Sequence, residues 1–173
     1  MTRPTEPATT AASCEVVNPA TEEVIAAVSA GIAGDADRAV TAARRAFRAW
    51  SAIGPAGQVS DRVRRPVAAR SDELVALISA EVGMPRKLGA GLLVQGAVTK
   101  EAAYTEESQR YAWEEPGDVA TVVRQTVGVV AAITPSNVPL GIALDKVVPA
   151  LLAGCTVVLK PSEGGAAECV GVG

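Results

Sequence analysis

The amino-acid sequence predicts an α/β fold that contains a pair of parallel strands. Two runs of strand length, residues 127–133 and 156–159, are continuous apolar stretches rich in valine, which is typical of strands buried on both faces. Residues 140–152 between them have the composition of a helix that begins near Pro139 and stops at Gly154. A strand, a helix and a second strand in this order require parallel strands and a right-handed crossover.

The composition allows a globular core and excludes several kinds of chemistry. The chain has 173 residues, of which 49% are hydrophobic and 3% aromatic, enough for one domain or two small ones. It contains no histidine, which removes Ser-His and Cys-His triads and zinc sites that use imidazole. We predict no metal site. The net charge of -3 argues against a nucleic-acid partner, because phosphate contacts require a basic surface.

The first half of the chain is predicted to form a hairpin followed by helices. Residues 1–14, rich in Thr, Pro and Ala, are expected to be a flexible arm. Two short apolar runs, 15–17 and 24–28, flank a turn and predict the hairpin. A helix should then begin with Asp35 as its N-cap and continue to Trp50.

The middle of the chain is predicted to contain further helices and a strand. Pro66 should kink or break the helix expected over 58–70, because proline removes an interior hydrogen bond. Ser71 should cap a helix that ends at Gly83. A helix over 92–112 and a strand over 119–123 should follow. We predict residues 15–125 to be one unit of hairpin, helices and bridging strand, and residues 126–163 to begin a βαβ unit.

Cysteine usage and hydropathy predict a soluble, cytoplasmic protein. Cys14, Cys155 and Cys169 are an odd number at irregular spacing, as expected of a reduced protein. The first 13 residues lack the apolar segment of a signal peptide. No charge occurs between Arg124 and Asp145, but two prolines and two polar residues interrupt this stretch, which disfavours a membrane span.

Polar residues follow both predicted parallel strands. Residues 134–137 leave the first strand and residues 160–163 the second, so both segments should emerge at the same edge of the sheet, where ligands of open α/β sheets bind. Asn137 could instead simply cap the following helix. Lys160 and Glu163 could be an exposed ion pair worth under about 1 kcal/mol. The usual glycine-rich phosphate fingerprints are absent.

From Val16 to Glu163 the sequence resembles the amino-terminal part of the NAD(P)-dependent aldehyde dehydrogenases. The resemblance implies an incomplete version of that fold: a partial doubly wound, Rossmann-like parallel sheet with flanking helices and an amino-terminal β-hairpin. The resemblance is carried by four segments: residues 17–21 (VNPAT), the helix 35–50, residues 128–139 (GVVAAITPSNVP) and residues 149–163 (PALLAGCTVVLKPSE).

The resemblance also implies roles for individual residues. The residue that matches Asn137 donates its amide to the oxyanion formed when a cysteine attacks the aldehyde. Those that match Lys160 and Glu163 hold the ribose hydroxyls of the adenosine, and a carboxylate at Glu163 would repel a 2′-phosphate, so we predict NAD rather than NADP. The cofactor-binding residues implied in this way are Ile133, Thr134, Pro135, Ser136, Lys160, Ser162 and Glu163.

The sequence also departs from the family pattern. Ser136 stands where the family usually has Trp, and Val138 where it often has Phe, which alters the substrate tunnel. Residues 164–173 match nothing that we recognise. The nucleophilic cysteine, the general-base glutamate and the oligomerisation strand of this homo-oligomeric family are expected beyond the chain. Cys155 should lie roughly 15 Å from the crevice, and Cys169 has no recognisable base beside it.

We therefore expect a fragment of an aldehyde-oxidising enzyme that is inactive on its own. Two alternatives remain open. The chain could be a non-catalytic module that binds a nucleotide or joins other subunits. It could also be a decayed or frame-shifted product.

Overall fold

The computed structural model describes residues 13–53 and 58–162, without the side chains of residues 58–61 and 92–94. The expected flexible arm, apart from its last two residues, lies outside the described residues, as do Glu163, the tail and Cys169. The elements in chain order are β1 (Ser13–Val17), β2 (Val24–Ser29), α1 (Ala33–Ser51), α2 (Gln58–Ala69), α3 (Ser71–Val82), α4 (Arg86–Leu88), a π-helical stretch (Gly89–Gln95), α5 (Gly96–Arg110), β3 (Glu114–Pro116), β4 (Thr121–Val123), β5 (Val129–Ile133), α6 (Pro139–Leu152) and β6 (Thr156–Lys160).

The predicted hairpin is present as the antiparallel pair β1 and β2. Asn18 forms its turn: the Asn18 side-chain oxygen accepts a 2.9 Å hydrogen bond from the Ala20 N–H, and its carbonyl accepts from the Glu22 N–H at 2.8 Å. An Asx turn of this kind explains why the chain reverses here. The prediction from the two flanking apolar runs is confirmed.

Helix α1 begins two residues before the predicted cap. Ile32 occupies the N-cap position, and Asp35 lies at the third helical position, so the prediction of Asp35 as N-cap was wrong. The Asp35 carboxylate instead accepts the Ile32 backbone N–H at 2.9 Å. A carboxylate in the first turn satisfies a free N–H and complements the helix dipole from this position as well as from the cap.

Helix α2 continues through Pro66 to Ala69, so of the predicted kink or break at that residue the break is wrong. Pro66 lies on the exposed side of the helix, where water can hydrate the carbonyl that loses its partner. The next residue, Val67, is completely buried in the core. Burial of this side chain offsets part of the cost of the missing hydrogen bond.

Helix α3 ends as predicted and begins differently. Arg70 is the N-cap residue and Ser71 the first helical residue, with no side-chain capping hydrogen bond, so the predicted cap was wrong. At the other end Gly83 has φ of 72°, in the left-handed region that favours glycine. The predicted stop at Gly83 is confirmed.

Replacing Gly83 by alanine should destabilise the protein by about 1–2 kcal/mol, because a Cβ is disfavoured at this backbone conformation. The Cβ of the introduced alanine would also lie 2.9 Å from Cγ of Pro19 in the hairpin turn. The measurement is the urea midpoint of Gly83→Ala. Gly34→Ala is the matched control, because its Cβ would meet only ordinary contacts at 3.9 Å inside α1. An equal midpoint for the two variants would contradict the prediction.

One long helical segment replaces the helix predicted over 92–112. It starts with the single turn α4, passes through the π-helical stretch and ends with α5 at Arg110. Three glycines within the segment and at its junctions, Gly89, Gly91 and Gly96, weaken the sequence signal for a helix, which explains why the start was predicted too late.

Helices α5 and α6 are joined by polar contacts of Asp145. Its carboxylate accepts a 2.8 Å hydrogen bond from Lys100 Nζ and a 3.3 Å hydrogen bond from the Tyr104 hydroxyl. The hydrogen bond with Asp145 raises the pKa of Lys100 above its ordinary value. Burial, followed by the charge of Asp145, raises the pKa of Tyr104.

Residues 114–123 form a short hairpin, β3 and β4, where a single strand over 119–123 was predicted. The predicted strand is confirmed for Thr121–Val123. The partner strand was missed because its sequence, Glu-Glu-Pro, lacks the β-branched and aromatic residues typical of strands.

Strands β5 and β6 are parallel and joined by α6, as predicted. Pro139 is the first residue of α6, and Gly154, with φ of 81°, follows its end. The expectation that both strands are buried on both faces was wrong, because Ile133 is 63% exposed and Ala132 only 1%. Among the described residues, this sheet contains only two strands, and helices α1 and α6 pack against them. Part of the pair is therefore open to solvent.

The main core lies between helices, beside the parallel strands. It is formed by buried apolar side chains of α2, α3, α5 and α6: Val67, Leu74, Val75, Ile78, Ala97, Leu140, Leu144, Val148 and Leu152. Helix α1 is fixed to the βαβ unit by two hydrogen bonds. Trp50 Nε1 donates to the Leu151 carbonyl at 3.3 Å, and the Thr156 hydroxyl donates to the Ala43 carbonyl at 3.0 Å. The core and these contacts set the position of α6 and of the loop before it.

Candidate functional site

The loops after β5 and β6 leave the same edge of the parallel pair. The last strand residues, Ile133 and Lys160, are partners in the register. One residue further, the Thr134 N–H donates a 3.2 Å hydrogen bond to the Lys160 carbonyl. The backbone therefore brings residues 134–137 and 160–162 to one edge, as the sequence predicted.

The first loop holds one buried residue and three exposed ones. Thr134 is 4% exposed, whereas Pro135, Ser136 and Asn137 are exposed. Val138, not Asn137, is the N-cap of α6, and no side chain makes a capping hydrogen bond there. The alternative that Asn137 serves as the helix cap is therefore wrong, and its amide is not occupied by that role.

The second loop presents an ammonium group at the same edge. Lys160 is exposed, and its Nζ donates a 3.1 Å hydrogen bond to the Pro161 carbonyl. Ser162 is half-buried. Glu163, the third member of the predicted set, lies outside the described residues, so the alternative of an ion pair with Lys160 does as well.

Two buried hydroxyl oxygens follow the two strands without a hydrogen-bond partner. They are Thr134 Oγ1 and Ser162 Oγ, and the statement holds for residues 13–53 and 58–162. An unsatisfied buried hydroxyl costs free energy until it finds a partner. Both belong to the two loops that leave the strands at the edge where Lys160 is exposed.

Cys155 lies at the opposite edge of the parallel pair. It precedes β6 and is 3% exposed, and its N–H donates to the Ala150 carbonyl at 2.9 Å. Five strand residues at about 3.3 Å each separate it from the loop after β6. Its thiol is therefore remote from Asn137. The sequence predicted this separation.

The sequence analysis missed a group of aromatic and charged side chains near Cys155. Arg124 donates to the Ala112 carbonyl at 2.7 Å and to Glu115 at 3.0 Å, and its guanidinium lies over the Tyr111 ring at 5.5 Å. The hydrogen bond with Glu115 raises the pKa of Arg124. All these residues lie within 111–124, and the cluster was missed because it depends on the β3–β4 hairpin, whose first strand the sequence did not predict.

Two further features of the described residues bear on function. In residues 13–53 and 58–162, no three residues of the His, Cys, Asp and Glu types come together as a metal site would require. None of the helices in that part of the chain combines the length and the apolar character needed to cross a bilayer.

Two parallel strands, a connecting helix and two polar loops at one edge define a Rossmann-like α/β protein. A model described as the aldehyde dehydrogenase family matches residues 6–171. The chain belongs to the aldehyde dehydrogenase family. The predicted resemblance to the amino-terminal part of this family is confirmed.

Individual relatives support the same assignment. The chain is 38% identical over 156 residues to a 3-succinoylsemialdehyde-pyridine dehydrogenase of Pseudomonas sp., covering 88% of this chain and 33% of the relative. It is 41% identical to the mitochondrial succinate-semialdehyde dehydrogenase of Arabidopsis thaliana, covering 86% of this chain and 29% of the relative. The chain thus spans about a third of the length of the curated relatives that it matches.

Solved structures agree with the fold. The C291A mutant of aldehyde dehydrogenase C from Pseudomonas syringae, in complex with NAD+ and octanal, has a TM-score of 0.92 and 39% identity, covering 95% of this chain and 34% of that one. PnpE in complex with nicotinamide adenine dinucleotide has a TM-score of 0.88 and 34% identity, covering 96% of this chain and 35% of that one. Another relative, from Sinorhizobium fredii, is described as a probable NADP+-linked succinate-semialdehyde dehydrogenase.

Proposed function

We propose that this chain supplies the oxyanion amide and part of the dinucleotide site of an enzyme that oxidises aldehydes to carboxylates with NAD. The observation that carries the proposal is the register of β5 and β6, which pairs Ile133 with Lys160 and brings both following loops to one edge. An amide that caps no helix and an ammonium group are present at that edge. Both are chemically suited to the proposed roles.

Asn137 is the proposed oxyanion donor. When a thiolate adds to an aldehyde, the carbonyl oxygen gains negative charge, and a fixed amide N–H directed at that oxygen stabilises the transition state more than the ground state. Such a donor is worth about 3 kcal/mol of barrier. Because Asn137 is exposed at the strand edge, its amide is accessible to a substrate there.

Lys160 and Ser162 are the proposed contacts to the adenosine ribose, and the backbone of residues 133–136 borders the nicotinamide side. The exposed Lys160 ammonium can hydrogen-bond to ribose hydroxyls, whereas the Ser162 hydroxyl oxygen is buried and would reach a ribose only if the loop after β6 moves. When NAD is bound, its nicotinamide ring supplies the hydride acceptor. The proposed preference for NAD over NADP rests on Glu163, whose carboxylate would repel a 2′-phosphate.

Cys155 is not the thiolate nucleophile at this edge, because it lies at the opposite edge of the sheet, and the proposed nucleophile and general base come from outside this chain. The proposal therefore includes that the purified chain alone does not oxidise aldehydes. Formation of NADH by the purified chain from an aldehyde and NAD would contradict it.

Calorimetric titration with NAD tests the binding part of the proposal. We expect Lys160→Met to weaken NAD binding about 5- to 10-fold, because it removes a charge-assisted hydrogen bond. Lys146→Met is the matched control, since Lys146 is also exposed but lies in the middle of α6, about two helical turns beyond its first residue, Pro139. Equal affinity of the two variants would contradict the assignment of Lys160, and NADP affinity equal to that for NAD would remove the cofactor preference.

A second candidate function is a non-catalytic module that binds a nucleotide or joins other subunits. The exposed apolar side chains on the parallel pair favour it, with Ile133 63% exposed and Leu159 36% exposed. Mixing the chain with an intact relative and measuring co-elution separates the two candidates. Stable association with the intact relative would favour the module, because NAD binding without activity is expected of both candidates.

A further inference from the structure

A cavity of about 580 Å³ lies at the other end of the parallel pair, away from the candidate dinucleotide edge. Its walls come from α5, from residues 111–127, from the end of α6 and from Cys155. Cys155 directly precedes Thr156, the first residue of β6, whereas residues 134–137 follow the last residue of β5. The cavity and the dinucleotide edge are therefore separated by the full length of the strands.

The cavity has an aromatic side and an aliphatic floor. Tyr104, Tyr111 and Trp113 form the aromatic side, and the rings of Tyr111 and Trp113 meet edge to face at 5.0 Å. The floor includes Leu152 and Cys155, which are 2% and 3% exposed. Cavities of a few hundred Å³ with such walls are typical of sites for small apolar ligands.

Several contacts hold the aromatic side in place before any ligand binds. The Arg124 guanidinium lies 5.5 Å from the Tyr111 ring centroid and is itself fixed by Glu115 at 3.0 Å and the Ala112 carbonyl at 2.7 Å. The Tyr104 hydroxyl donates to Asp145. A wall that is already ordered loses little conformational entropy on binding.

The charges around the cavity select against an anionic ligand. The positive charge of Arg124 is compensated by Glu115, and Glu107 adds a carboxylate to the lining. An anion would therefore meet no uncompensated cation among these groups. Flat aromatic molecules, by contrast, gain from edge-to-face and stacked contacts with three aromatic rings.

We propose that this cavity is a binding site for an uncharged, mainly aromatic small molecule, separate from the dinucleotide site. The proposal does not depend on the proposed function, because it uses none of the residues at the carboxyl edge. A negative result for the aromatic-ligand site would therefore not contradict the proposed function, and the reverse also holds.

The test uses the full chain and prodan, an uncharged aminonaphthalene ketone whose emission shifts to the blue in an apolar site. We expect one prodan per chain and binding of naphthalene-2-sulfonate at least about tenfold weaker. Ser108→Phe places a ring into the cavity from α5 and should lower prodan affinity at least about tenfold, whereas Gln109→Phe, on an exposed position of the same helix, should leave it unchanged.

A second cavity variant guards against misfolding of the first. Ala153→Leu fills the cavity from the end of α6, and circular dichroism checks that each variant retains its helices. Equal prodan affinity in Ser108→Phe, Ala153→Leu and Gln109→Phe would overturn the proposal. Many dye molecules per chain, or tighter binding of the sulfonate, would overturn it as well.

Discussion

Asn137→Ala should lower kcat by about 10²- to 10³-fold in an active enzyme that contains this chain. A suitable enzyme is a chimera in which this chain replaces the matching third of aldehyde dehydrogenase C from Pseudomonas syringae, whose structure has a TM-score of 0.92 to it. The reason is physical. Without the amide N–H, the negative charge that develops on the aldehyde oxygen loses a fixed hydrogen-bond donor.

The readout is the rate of NADH formation with octanal, the aldehyde in that structure. The loss should appear in kcat, with the KM for NAD little changed, because Asn137 is not a proposed cofactor contact. Gln109→Ala, at an exposed position of α5 remote from the strand edge, is the control. A kcat for Asn137→Ala similar to that of this control would show that the amide is not the oxyanion donor.

Leu74→Ala should destabilise the chain by about 3–5 kcal/mol, since it removes a buried leucine and leaves a cavity. Leu74 is 2% exposed and belongs to the main core between α2, α3, α5 and α6. Small domains have only about 5–15 kcal/mol of total stability, so this variant should be largely unfolded under mild denaturing conditions.

The matched control is Leu88→Ala, the same chemical change at a side chain that is 47% exposed. It should change stability by no more than about 0.5 kcal/mol. Urea unfolding followed by circular dichroism measures both. Similar midpoints for the two variants would show that the helical core does not stabilise the chain as described.

The candidate site was predictable in part, because its position follows from the order of elements. Valine-rich runs, Pro139 and Gly154 are local signals, and together they require parallel strands whose following loops share an edge. The family resemblance then singled out Asn137 and Lys160. The sequence left open whether Asn137 caps α6, and the geometry at Val138 answered that question.

Local errors arose where two nearby positions could perform the same task. Asp35 satisfies the first turn of α1 from its third helical position, and Ser71 begins α3 without capping it. Pro66 was expected to break α2, but the sequence could not show that Val67 beside it would be completely buried. Packing of Val67 against other helices offsets part of the cost of the lost hydrogen bond.

The sequence by itself determined the hairpin, most helices, the parallel βαβ unit and the family, because periodicity, turn residues and motifs are encoded over short stretches. The tertiary structure decided what depends on distant segments. It brought Lys100 to Asp145, left Ile133 largely exposed, and formed the open cavity beside Cys155 between α5, α6 and residues 111–127. Such contacts join residues that have no fixed spacing in the sequence. They depend on how the elements pack, so no local sequence pattern predicts them.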